Sequence, residues 1–195
     1  YVADCEVSWD AKRIIFSKRG GKTQPWWSVW EIGVDGSGLR QITKGPYHDV
    51  GPAYLPDGRI VFSSSRIGIR DEYHGYHATG LTVMNADGSD IHPISVNSEN
   101  EFDPTVLPDG RVAFGRWEYV DKNALTMQSL WSIHPDGTEE TAIFANNMVL
   151  PEAILDVRPV PHSGLLAVTL AKHNAPPRGS IAYIDPSKGK NGTEA

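Results

Sequence analysis

Short apolar runs recur along this chain, each closed by a turn. Residues 13–16, 59–62, 111–114 and 165–168 are continuous in hydrophobicity rather than alternating, which is how strands covered on both faces read. A second set follows at 29–32, 81–84, 130–133 and 181–184, and a shorter set at 39–43, 91–95 and 141–144. Asp35-Gly36, Asp87-Gly88 and Asp136-Gly137 punctuate the second and third sets, with Ser187-Lys188-Gly189 in the same place of the last copy. Asp-Gly between such runs predicts hairpins with type I′ turns, which need positive φ at both central residues. Leu55-Pro56-Asp57-Gly58-Arg59-Ile60-Val61-Phe62 returns as Leu107-Pro108-Asp109-Gly110-Arg111-Val112-Ala113-Phe114.

Self-similarity at a step of about 50 residues is the signature of a propeller blade. The expected fold is all-β: a β-propeller of four-stranded antiparallel blades, about four of them, at roughly 1–45, 46–97, 98–146 and 147–195. A β-sandwich is the alternative, but sandwiches do not repeat their sequence at a fixed step. The fourth copy has no apolar run after 181–184, and no blade is shared between the two ends. One partial propeller domain, a fragment of a larger ring, is therefore expected; a closed four-bladed ring or a pair of chains are the other solutions.

A net charge of −6 with no basic stripe excludes a nucleic-acid footprint. No apolar run is long enough to span a bilayer. The single cysteine, Cys5, excludes an internal disulfide and a Cys-x-x-Cys-His haem attachment, so no cofactor is expected. Cys5 itself is expected to be buried and inert. No Gly-x-Ser-x-Gly elbow occurs.

At Asp35–Thr43, at 55–66 and above all at 107–123, which contains Arg116-Trp117-Glu118-Tyr119-Val120-Asp121-Lys122-Asn123, the chain resembles TolB-like, PD40-type propeller repeats, and in particular the propeller of the hydrazine synthase alpha-subunit family. The resemblance implies a six-bladed ring at the front of a larger protein with an exported setting, periplasmic or extracellular. The haem chemistry of that family belongs to later domains and does not transfer to this chain.

Tight turns occupy one rim, so long connections occupy the other, at about 17–28, 63–80, 115–129 and 171–179 and at 44–51, 96–103 and 145–156. Binding residues concentrate on such connections. Three sets stand out. Asp71, Glu72, His74 and His77 offer metal ligands, with His48, Asp49, Glu118 and Asp121 as outside ligands; the competing reading is a polar loop bonded to its own backbone. Asp4, Asp103 and Asp156 take equivalent places in their units, with Gly51 in the second and with Asp49 and Glu101 two residues earlier. They are candidates for a channel-mouth cation site, weighed against aspartates that cap their own turns. Trp26, Trp27, Tyr73, Tyr76, Trp117 and Tyr119 are candidate anchors for a partner or a carbohydrate, with local packing as the equal alternative for Trp26, Trp27 and Trp117, and a cation–π contact of Arg116 with Trp117 is expected. Trp30 and Trp131 are expected in the core between blades. The function expected is a non-catalytic module that docks another domain, subunit or small ligand, with a metal-dependent lyase or hydrolase on the same rim as the alternative.

Overall fold

A computed structural model describes residues 1–120, 127–173 and 178–192. Among them the chain is made of strands, with no α-helix and two single 3-10 turns. The first blade is β1 (Val2–Val7), β2 (Arg13–Lys18), β3 (Ser28–Gly33) and β4 (Arg40–Gln41). The second is β5 (Asp49–Tyr54), β6 (Ile60–Ser64), β7 (Gly80–Met84) and β8 (His92–Pro93). The third is β9 (Glu101–Val106), β10 (Val112–Trp117), β11 (Gln128–Ile133) and β12 (Thr141–Phe144), and the fourth has β13 (Ala153–Pro159), β14 (Leu166–Ala171) and β15 (Gly179–Ile184). Within each blade, strands adjacent in the chain pair antiparallel. This is a run of propeller blades; among the described residues the fourth has no outer strand.

Three apolar layers lie between consecutive blades. Ile15 and Val29 meet Ile60, Phe62 and Met84 in the first; Leu81 and Val83 meet Val112 and Phe114 in the second; Leu130 and Phe144 meet Ile154 and Val168 in the third. Every residue of β6 and β7 is buried, because blades cover both faces, and that is why their sequence does not alternate. On the far side of the fourth blade, Ile181 is 80% exposed and Tyr183 64%. Backbone bonds lock the blades at matching points: Asp49 N–H donates to the Trp27 carbonyl at 3.0 Å and Glu101 N–H to that of Thr79 at 2.8 Å. One parallel bridge, Gln128 to Ala153, joins the last two blades.

The hairpins form where expected, but their turns are not type I′. In Gly33–Ser37, Leu55–Arg59, Asn85–Ser89, Leu107–Arg111 and His134–Thr138, the glycine N–H closes onto the carbonyl three residues back at 2.9–3.0 Å. Only the glycines have positive φ, from +84° to +89°. This is a type I turn followed by a left-handed glycine. Proline at positions 56, 108 and 135 pre-sets φ for the first central residue, and the aspartate accepts the N–H two residues on, as Asp57 does from Arg59 at 3.0 Å and Asp87 from Ser89 at 2.9 Å.

The innermost strand of every blade carries a bulge at the same point. Asp4, Gly51, Asp103 and Asp156 have φ of +52°, +61°, +52° and +52°, and each sits where the register with the next strand shifts. A left-handed residue of this kind is what a bulge of the glycine type requires, and aspartate tolerates it better than most side chains.

Candidate functional site

The connection after β6 folds back as a small hairpin. Arg70 bridges His77, Asp71 N–H donates to the Tyr76 carbonyl at 2.8 Å, and Gly75, with φ +70°, closes the tip by donating to the Asp71 carbonyl at 3.0 Å. The Asp71 carboxylate is buried and accepts the His74 N–H at 2.5 Å. It therefore holds the tip as an Asx turn does. This presents Tyr73 and His74 toward the third blade.

There they border a cavity of about 490 Å³. Trp117, at the end of β10, and His173, just beyond β14, complete its ring-bearing wall. Asn100 and Gln128 contribute carboxamides, and Phe102 and Leu155 from the innermost strands contribute apolar surface. Three blades thus meet at the long-loop end of the channel. Tyr73, Trp117 and Tyr119 pack edge to face, with centroids 5.3–6.0 Å apart, a favoured arrangement for aromatic rings. His74 stacks on Tyr76 at 5.6 Å, and His173 lies 5.1 Å from Trp117. Gln128 Nε2 lies within hydrogen-bonding distance of His173 Nδ1, at 3.1 Å. Asn100 Oδ1 accepts the Thr79 N–H at 3.0 Å.

Behind this wall Glu99 is fully buried. Its Oε1 accepts the Glu72 N–H at 2.9 Å, and among the described residues its Oε2 has no hydrogen-bond partner. Burial raises its pKa; the Glu72 N–H opposes that rise, and the neighbouring Asp71 and Glu72 carboxylates reinforce it.

The remaining candidates from the sequence fall in several places. Trp117 is buried rather than exposed, because it belongs to β10 and not to the following loop. Arg116 does not stack on Trp117: neighbours in a strand point to opposite faces, and its guanidinium lies 4.8 Å from the Trp131 ring instead. It also pairs with Glu101 at 3.1 Å and Glu140 at 2.5 Å, with Glu118 3.8 Å away. Asp49 and Glu101 are buried and turn between blades rather than toward the channel. Asp49 holds Ser64 at 2.6 Å and Arg66 at 3.0 Å. Trp26, half-buried, lies 4.9 Å from His48, whose pKa burial lowers, with His77 adding to the effect. Trp27 stacks under the Arg19 guanidinium at 5.3 Å. Trp30 is half-buried beneath Lys18 and is not in a core layer. Asp121 lies outside the described residues. His74 and His77 sit on one hairpin, but among the described residues no three of His, Cys, Asp and Glu are arranged to hold a metal ion.

Asp4, Asp103 and Asp156 do converge, around a narrow space of about 50 Å³ deeper in the channel. Among the described residues their carboxylates bond neither their own turns nor one another. Asp4 accepts the Gly51 N–H at 3.3 Å, and Asp103 accepts the Asp156 N–H at 3.5 Å, each linking a bulge to that of the following blade. Burial raises the pKa of Asp103, and the Asp156 charge adds to the rise. Cys5 is exposed, not buried, because no described blade covers the outer face of β1. Asn100, Phe102, Gln128, Leu155 and His173 escaped the sequence reading; they lie in or beside the long connections, but no spacing marks them.

No protein-family profile matches the chain. Hydrazine synthase subunit alpha of Kuenenia stuttgartiensis is 28% identical over 54% of this chain and 19% of that protein. The solved hydrazine synthase of the same organism superposes with a TM-score of 0.71 at 20% identity, covering 93% of this chain and 32% of that one. TolB from Acinetobacter baumannii does so with a TM-score of 0.65 at 11% identity, over 94% and 41%. The chain thus spans a fifth of the curated relative and a third of its solved counterpart. Its fold is that of the β-propeller blades of TolB and hydrazine synthase, and its sequence resembles part of hydrazine synthase subunit alpha.

Proposed function

We propose that this chain is the binding module of a larger exported protein related to hydrazine synthase subunit alpha, and that the cavity at the channel mouth is where it binds. The observation that carries this reading is the convergence of Tyr73, His74, Trp117 and His173, from three blades, around a space of about 490 Å³. Concave sites lined by rings with a few placed polar groups are where small molecules bind. The larger context is supported by the fraction of subunit alpha that the chain matches. The exposed Ile181 and Tyr183 face supports docking of another domain or subunit. The exported setting of the resembled family supports a periplasmic or extracellular location, and no helix among the described residues is long and apolar enough to cross a membrane. A metal-dependent enzyme would need ligands from several loops to meet, and no such set of three forms among the described residues.

The test is a ligand-observed NMR screen of a small-fragment library against wild-type protein and Tyr73→Ala. Tyr73 is 56% exposed, so the substitution leaves the blades intact. Fragments that bind the wild type and lose their signal in Tyr73→Ala support the reading. A screen without hits, or hits indifferent to residue 73, overturns it.

A further inference from the structure

We infer that the channel-mouth cavity takes an uncharged sugar. This rests on the cavity being the binding site and goes further by naming the ligand class. Among the described residues no Asp, Glu, Lys or Arg side chain lines it, so they supply no fixed charge to pair with a phosphate or a uronate. The net charge of −6 works against anionic ligands as well. A sugar ring has apolar C–H faces and a rim of hydroxyls, each of which both donates and accepts. The cavity offers the complement of each.

Tyr73, His74, Trp117 and His173 provide ring surface for the C–H faces. The two carboxamides are each held at one end only. Asn100 is gripped through Oδ1 by Thr79, which leaves Nδ2 outside that contact as a donor. Gln128 is engaged through Nε2 by His173, which leaves Oε1 outside that contact as an acceptor. Asn100, just before β9, and Gln128, at the start of β11, flank Trp117 of the intervening β10, so the donor and the acceptor stand on either side of its ring, as hydroxyls on opposite edges of one sugar ring require. Both groups are positioned in advance, which lowers the ordering cost of binding. A flat aromatic ligand would use the rings but not this pair.

The experiment is calorimetric titration of the chain with cellobiose, maltose, lactose and mannobiose, with digalacturonate as the charged probe and indole as the aromatic one. At least one neutral disaccharide should bind saturably. Tyr73→Ala and Gln128→Ala should each weaken it about tenfold or more, about 1.4 kcal/mol, while their thermal melts show that the fold persists. Tighter binding of digalacturonate than of every neutral disaccharide overturns the assignment. Indole binding that is lost in Tyr73→Ala, with no disaccharide bound, overturns the sugar class and leaves the site standing. Binding of none of the probes overturns both.

Discussion

The ring of Phe102 presses on the backbone of Gly115, its partner across the β9–β10 ladder: a Cβ at residue 115 would lie 2.2 Å from the ring. Glycine is required here for close approach, not for its φ. Because Phe102 lines the cavity, the position of a hydrogen atom on β10 sets its shape. Gly115→Ala should cost about 1–3 kcal/mol of stability, as overpacking does, and should displace the ring. Urea unfolding measures the cost; the double variant with Phe102→Ala should regain stability relative to Gly115→Ala alone. No regain would mean that the ring is not what the methyl meets.

Asp49 secures the start of β5. Its buried carboxylate accepts from Ser64 and holds Arg66 through two nitrogens. Asp49→Ala should destabilise the chain by about 2–4 kcal/mol, because it leaves a half-buried guanidinium and a buried hydroxyl without their acceptor. A change below 1 kcal/mol in chemical denaturation would show that Arg66 finds another partner.

Acid behaviour separates two classes of carboxyl group. Glu99 and Glu101 are buried and Asp103 is half-buried, and desolvation is the largest cause raising each pKa above the ordinary carboxylate range. The folded state therefore holds these protons more tightly than the unfolded chain does. Their contribution to stability is full below the unfolded pKa and is lost as pH rises through the folded one. Turn aspartates such as Asp35 and Asp87, whose pKa the Ser37 and Ser89 hydroxyls lower, act in the opposite sense and lose their contribution as pH falls. Glu99→Gln removes one member of the first class. Its melting temperature should exceed that of the wild type at pH 8, and the difference should shrink toward pH 4; a constant difference across that range would contradict the raised pKa.

Gly51 replaces the aspartate that fills the same bulge in the other three blades. A Cβ there would meet Pro104 Cδ at 3.2 Å. Gly51→Val should cost about 2 kcal/mol or more, since a β-branched residue at positive φ is strained. Gly51→Asn should cost less, because its side chain tolerates the left-handed region. Thermal melts of the two variants test this ordering.

Much of the architecture was legible in the residues, and for a local reason. Pro56-Asp57-Gly58 and Pro108-Asp109-Gly110 each fold their own turn through contacts within five residues. The runs they connect are apolar throughout because blades lie on both sides. Repetition then multiplies a modest signal. The turns are type I and not type I′ because the glycine is the fourth residue of each, closing onto the carbonyl three back, so it alone takes positive φ; proline at 56, 108 and 135 favours the same turn by fixing φ near −65°, and Val34 and Ala86 adopt it without one.

The site was legible only in part. Tyr73 and His74 stood out as chemistry-bearing residues on a long loop, but their neighbours Asn100, Gln128 and His173 look like any polar residue in a connection. Arg116 and Trp117 look paired on paper and lie on opposite faces of one strand. Local turn chemistry and two-sided burial thus specify the blade from a few residues at a time. Which loop atoms meet depends on how blades fan around the channel, on the bulges that bend each inner strand and on strand parity, all of which bring together residues distant in the chain.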